Sequence, residues 1–156
     1  MAEEKNLALA KATYETLCQT LNDHEWHYEK DDEKLLIECV ARGDDLPIEL
    51  MIQVDVERML ILLVSHLPFT TAEDKRLEMA IAVSSVNNSI VDGSFDYDVT
   101  TGQMFFRMTN SFLDSSIGKD LFTYMLMCSC QTVDEYNDKF LMLAKGMISI
   151  EQFLKN

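Results

Sequence analysis

The sequence predicts an α+β fold in which helices cover an antiparallel sheet, and three observations lead there. Apolar residues recur at three- and four-residue spacing in three separate stretches, alternate with polar residues in the stretches between, and are punctuated by Gly, Asn and Asp clusters. In chain order this reads as helix, four strands, helix, two strands and a long C-terminal helix, a layered arrangement around one core. With 156 residues, 47% of them hydrophobic and only two Pro and five Gly, residues 1–156 are expected to form a single globular domain.

Leu7, Ala10, Tyr14, Leu17, Cys18 and Leu21 form the apolar stripe of a first helix over about 3–22, with Glu3 and Glu4 placed at its positive N-terminal end. At Trp26 the period changes from helical to alternating. Trp26 and Tyr28 alternate with His27 and Glu29, Asp31 and Asp32 supply a turn, and Lys34 to Arg42 returns as the second strand of a hairpin. After the turn at Gly43-Asp44-Asp45 comes the clearest period of two in the chain. Leu46, Ile48, Leu50, Ile52, Val54 and Val56 share one face, and Glu49, Met51, Gln53 and Asp55 the other. The run from Met59 to His66 is apolar on both faces and reads as a strand covered on both sides.

Thr70 and Thr71 stand three residues before Glu73 and Asp74, the spacing of a capping box, which predicts a second helix from Ala72. Met79, Val83, Val86 and Ile90 form its stripe, widened by Leu77 and Ile81. Phe95, Tyr97 and Val99 alternate as a fifth strand, Thr100-Thr101-Gly102 turns the chain, and Gln103 to Ser111 forms a sixth with Met104, Phe106 and Met108 on one face. Asp114-Ser115-Ser116 offers a cap for the long helix, whose stripe runs through Phe122, Leu126, Ser129, Val133, Tyr136, Phe140 and Leu143. A short tail helix over 149–154 is the last expected element.

Acids outnumber bases 27 to 13, for a net charge of −14, and residues 1–57 carry 15 acids against 5 bases. Such a surface repels phosphate backbones and anionic lipid, so neither nucleic acid nor a membrane surface is an expected partner; the charge reads first as a solvated surface and, as its functional alternative, as a field that steers basic partner segments. With no spanning apolar stretch and no basic leader, the chain is read as cytoplasmic, with Cys18, Cys39, Cys128 and Cys130 reduced.

Enzyme and cofactor motifs fail one by one. His24 and His27 are not four apart, and only His66 remains as a further imidazole, so no metal site is expected. Asp96, Asp98 and Thr100 resemble the start of a calcium loop, but Thr101 stands where that loop needs Gly and Arg107 where it needs an acid. Gly118-Lys119 lacks the rest of a phosphate loop, and there is neither a dinucleotide fingerprint nor a nucleophile elbow. No catalytic residue and no cofactor is therefore assigned, and the protein is read as a non-enzyme.

The sheet carries more information. Leu36, Val40, Met51, Ile61, Leu63 and Phe105 fall on the weaker faces of their strands, where a solvated sheet would be polar, and Met is an adaptable side chain for covering surfaces. Met51, Met59, Ile61, Leu63 and Phe105 are accordingly expected to form a partner-binding or dimer surface, with a protein partner or a homodimer covering it. The alternative is a small-molecule sensor or enzyme with a pocket between the sheet and the long helix, lined by Trp26, Tyr97 and Tyr136.

The segment Asn87-Asn88, Asp92-Gly93-Ser94-Phe95-Asp96-Tyr97-Asp98 and Thr101-Gly102 before Met104-Phe105-Phe106-Arg107 resembles the YbjN family of bacterial sensory-transduction regulators. The resemblance extends through Leu17-x-x-x-Leu21, Trp26-x-Tyr28 and Ile48 to Val54, covering about 17–146. It implies a fold like that of type III secretion chaperones. Those are small acidic cytosolic proteins, usually dimers, that hold an extended segment of a partner protein, and the resemblance brings no catalytic residues with it.

Overall fold

The computed structural model describes residues 1–155. Its elements are α1 (Ala2–Asp23), β1 (Tyr28–Asp31), β2 (Leu36–Ala41), β3 (Ile48–Asp55), β4 (Leu60–Thr70), a 3-10 turn at Glu73–Lys75, α2 (Arg76–Ser89), β5 (Ser94–Tyr97), β6 (Gln103–Ser111), α3 (Lys119–Ala144) and α4 (Ile150–Lys155). The six strands form one sheet in the order β1-β2-β3-β4-β6-β5, with every neighbouring pair antiparallel. No helix among the described residues is long and apolar enough to cross a membrane.

One face of this sheet is covered by helices. The cross-strand pairs Ile37↔Ile52↔Leu63↔Met108 and Cys39↔Leu50, Ser65↔Phe106↔Phe95 place these residues on a common side, and all of them are buried. The long helix α3, about 39 Å at 1.5 Å per residue, lies over them. Its Ser129 hydroxyl donates to the Met108 sulfur at 4.0 Å, and its Asp134 carboxylate accepts the Asp44 amide at 2.8 Å in the β2–β3 turn. Phe140 meets Phe95 of β5 at 5.1 Å between ring centroids and Phe153 of α4 at 5.5 Å.

Several boundaries differ from the sequence expectation. The strand that was to end at His66 runs on to Thr70, passing Pro68 at a register irregularity, where the missing amide costs no ladder bond. Thr71 therefore cannot cap a helix at Ala72. Its amide donates to the Gly102 carbonyl at 2.9 Å, and α2 begins only at Arg76, after the 3-10 turn. Leu77 and Ile81 are exposed, because the buried face of α2 is the one that carries Met79, Ala82, Val83 and Val86. Likewise α3 starts after Gly118, leaving Ser115 and Ser116 in the preceding loop. The tail helix has the cap that the others lack: the Ser149 hydroxyl accepts the Gln152 amide at 3.1 Å and the Gln152 side chain accepts the Ser149 amide at 2.8 Å.

The residues around β5 have defined structural roles. Asn87, at the end of α2, acts as a surrogate strand: its carbonyl accepts the Phe95 amide at 2.8 Å and its amide donates to the Phe95 carbonyl at 2.9 Å. This satisfies the outer edge of β5 at its buried residue. Gly102 closes the β5–β6 turn with φ +78°, and a Cβ there would collide with the Thr71 carbonyl. Asp98 holds the same turn by accepting the Thr100 amide at 2.8 Å. Asn87→Ala is expected to cost about 1–3 kcal/mol, because two backbone groups of a buried residue lose their partners. Urea denaturation, with hydrogen exchange at the Phe95 amide, measures it; unchanged protection there would contradict the clamp.

Candidate functional site

The second sheet face carries no helix. Its outward residues follow from register: Glu29↔Glu38↔Met51↔Val64↔Arg107↔Ser94 form one row, Leu36↔Gln53↔Leu62↔Thr109 the next, with Val40↔Glu49 and His66↔Phe105↔Asp96 on the other side. Leu36, Met51, Leu62 and Phe105 are half-buried by their neighbours, Val64 is buried and Val40 is 62% exposed. The result is an apolar centre on β3, β4 and β6, where a sheet meeting only water would alternate to polar residues.

Of the five residues expected on a partner surface, the structure puts Met51 and Phe105 on this open face. Met59, Ile61 and Leu63 are instead 3%, 0% and 1% exposed and belong to the helix-covered core. The reason is strand parity. A strand apolar on both faces gives no period to read, and the pairs Val54↔Ile61 and Ile52↔Leu63 turn the odd-numbered residues of β4 inward with the strongest face of β3. Leu62, Val64 and His66 take the outward positions. The signal that could have found them was one step away, since outward Met51 must pair with an outward residue of β4.

A shallow concavity of about 770 Å³ lies over β1 to β4 on the open face, lined by Val40, Met51 and Val64 and by Glu29, Glu38, Glu49, His27 and His66. Two other hollows differ in holding paired charges. Beside α1, the Tyr14 hydroxyl donates to Asp32 at 2.9 Å and Lys30 lies 3.2 Å from the same carboxylate, which holds the Asp32 carboxyl below its ordinary value. Beside β5, the Tyr124 hydroxyl donates to Asp92, and Arg107 lies 3.0 Å from Asp96. Glu29, Glu38 and Glu49 form no such pair among the described residues, and Glu29 and Glu38 face each other directly across the strands.

Trp26, Tyr97 and Tyr136 do not enclose a common pocket. Trp26 precedes β1 and Tyr97 lies on β5, the two opposite sheet edges, roughly 24 Å apart at strand spacing. The interior beneath α3 there is filled, with Tyr136 6.0 Å from Phe95 in an edge-to-face contact. Burial pushes the Cys39 thiol up to about 12 and Cys130 up to about 11, away from thiolate chemistry. The described residues contain no group of three His, Cys, Asp or Glu side chains placed to hold a metal ion.

Comparison with curated proteins finds no match. Solved structures that share the fold include the following two. The structure described as "Crystal structure of YbjN, a putative transcription regulator from E. coli" has a TM-score of 0.58 at 15% identity, over 81% of this chain and 92% of that one. A chain of the structure described as "Structure of the HopA1-SchA Chaperone-Effector Complex" has a TM-score of 0.51 at 16% identity, over 83% and 94%. The profile of the YbjN family, described as "Putative bacterial sensory transduction regulator", matches residues 13–142. That span takes in the second half of α1, the whole sheet, α2 and most of α3, and the chain accordingly belongs to the YbjN family.

Proposed function

We propose that the protein is a non-enzymatic protein-binding or regulatory module of the cytoplasm, one functional domain over residues 1–156, which holds a partner polypeptide on the uncovered face of its sheet. The observation that carries this reading is that face itself: Leu36, Met51, Leu62, Val64 and Phe105 are apolar, adjacent and without a covering helix. Its fold is shared with a chain of a chaperone–effector complex and with a protein described as "a putative transcription regulator", and both descriptions fit a module that acts by binding. A second copy of the chain is the competing occupant, as in a homodimer.

Met51→Asp with Phe105→Asp tests the reading, because both side chains are half-buried on the open face and neither reaches the core. The double variant is expected to stay folded, with a melting midpoint within a few degrees of the wild type. In parallel pull-downs from the native cell it should lose a protein that the wild type retains. The same set retained by both would sink the proposal.

A further inference from the structure

Resting on that reading, we infer that the partner segment is cationic as well as apolar: a polypeptide stretch with Lys or Arg beside aliphatic residues, seated at the β1–β3 end of the open face. Three carboxylates, Glu29, Glu38 and Glu49, stand there on adjacent strands beside Val40, Met51 and Val64, and line the same concavity. Like charges directly opposite on neighbouring strands, as Glu29 and Glu38 are, destabilise a sheet. Elsewhere on the outward face the acids near strand ends have cations: Lys34 lies 3.5 Å from Asp31, Arg58 2.9 Å from Asp55 and Arg107 3.0 Å from Asp96. The concavity therefore combines apolar lining with uncompensated negative charge, and its complement is an ammonium or guanidinium group carried on an apolar segment.

The same charges weigh against a second copy as the occupant. The chain carries −14, so two copies repel one another on approach, and a face that holds three unpaired carboxylates adds to that repulsion. A foreign basic segment relieves the repulsion that a copy would double.

The probe is a 12-residue synthetic peptide alternating Lys and Val, compared with peptides of the same apolar pattern carrying Ser or Glu in place of Lys. Binding is followed by fluorescence anisotropy at low and physiological salt. The expected result is binding of the Lys peptide, weakened tenfold or more by Glu29→Gln, Glu38→Gln and Glu49→Gln together, with a shallower salt dependence. The equivalent triple change on α1, Glu3→Gln, Glu4→Gln and Glu15→Gln, should shift it less than twofold. Equal losses from both triple variants would mean attraction to the bulk negative field and overturn the inference. Equally tight binding of the Ser peptide, abolished by Met51→Asp, would overturn the charge selectivity while leaving the proposed function standing. Light scattering that shows a dimer in the wild type and a monomer in Met51→Asp would overturn the inference by giving the face to a second copy. If none of the peptides binds, the inference fails, and the pull-down comparison decides the broader reading separately.

Discussion

Replacing Ile61 and Leu63 together by Asp is expected to unfold the protein, not to release a folded monomer. Both side chains are at most 1% exposed beneath the helices. Each replacement loses the burial of a large aliphatic group, about 2–5 kcal/mol, and puts a carboxylate in the core, several kcal/mol more. The total, on the order of 10 kcal/mol or more, is as large as the roughly 5–15 kcal/mol that holds a typical domain together. Circular dichroism should show no cooperative melt, and light scattering an expanded or aggregated chain. Had a second chain covered these residues, the same variant would be a well-folded monomer. The contrast with Met51→Asp and Phe105→Asp is the sharpest test of the sheet's two faces. Identical chemistry is placed on the same sheet, one pair directed into the helices and one away from them. Two variants of similar stability would mean that the strand parity is wrong.

Phe140→Ala is the second large effect, with an expected loss of about 3–5 kcal/mol in urea denaturation. Phe140 is fully buried and its ring meets three others: Phe95 at 5.1 Å, Phe153 at 5.5 Å and Tyr136 at 6.4 Å between centroids. It thereby ties the long helix to the edge strand β5 and to the tail helix α4, so its removal takes away aromatic contacts as well as filled volume. Amide protection in α4 should fall before protection in β3 and β4, because α4 is only six residues long and has Phe153 as its one buried side chain. A loss under about 1 kcal/mol would show that the site collapses around the smaller residue without needing the ring.

The segment that made the family recognisable in the sequence is now explained by its local chemistry. Asn87 clamps Phe95, Asp98 holds its turn, and Gly102 sits where a side chain would strike the Thr71 carbonyl. These residues build one hairpin edge and none of them lies in the concavity. A resemblance carried by such positions identifies a fold well and says little about a ligand.

What the sequence determined by itself was element type and order, because a period of two or of 3.6 is written along the chain and needs no partner to be read. Ile48 to Val54 showed its buried face in that way, as did Met104, Phe106 and Met108. It also determined the acidic field, which is a property of composition. Only the tertiary structure decided which face of β4 is core, since a strand that is apolar on both sides reads the same in either orientation until its register with β3 and β6 is fixed. It alone set Glu29, Glu38 and Glu49, as many as 20 residues apart in the chain, side by side on three strands next to Met51 and Val64. Strand pairing is a long-range choice that local spacing does not encode, and the candidate site is a product of that pairing.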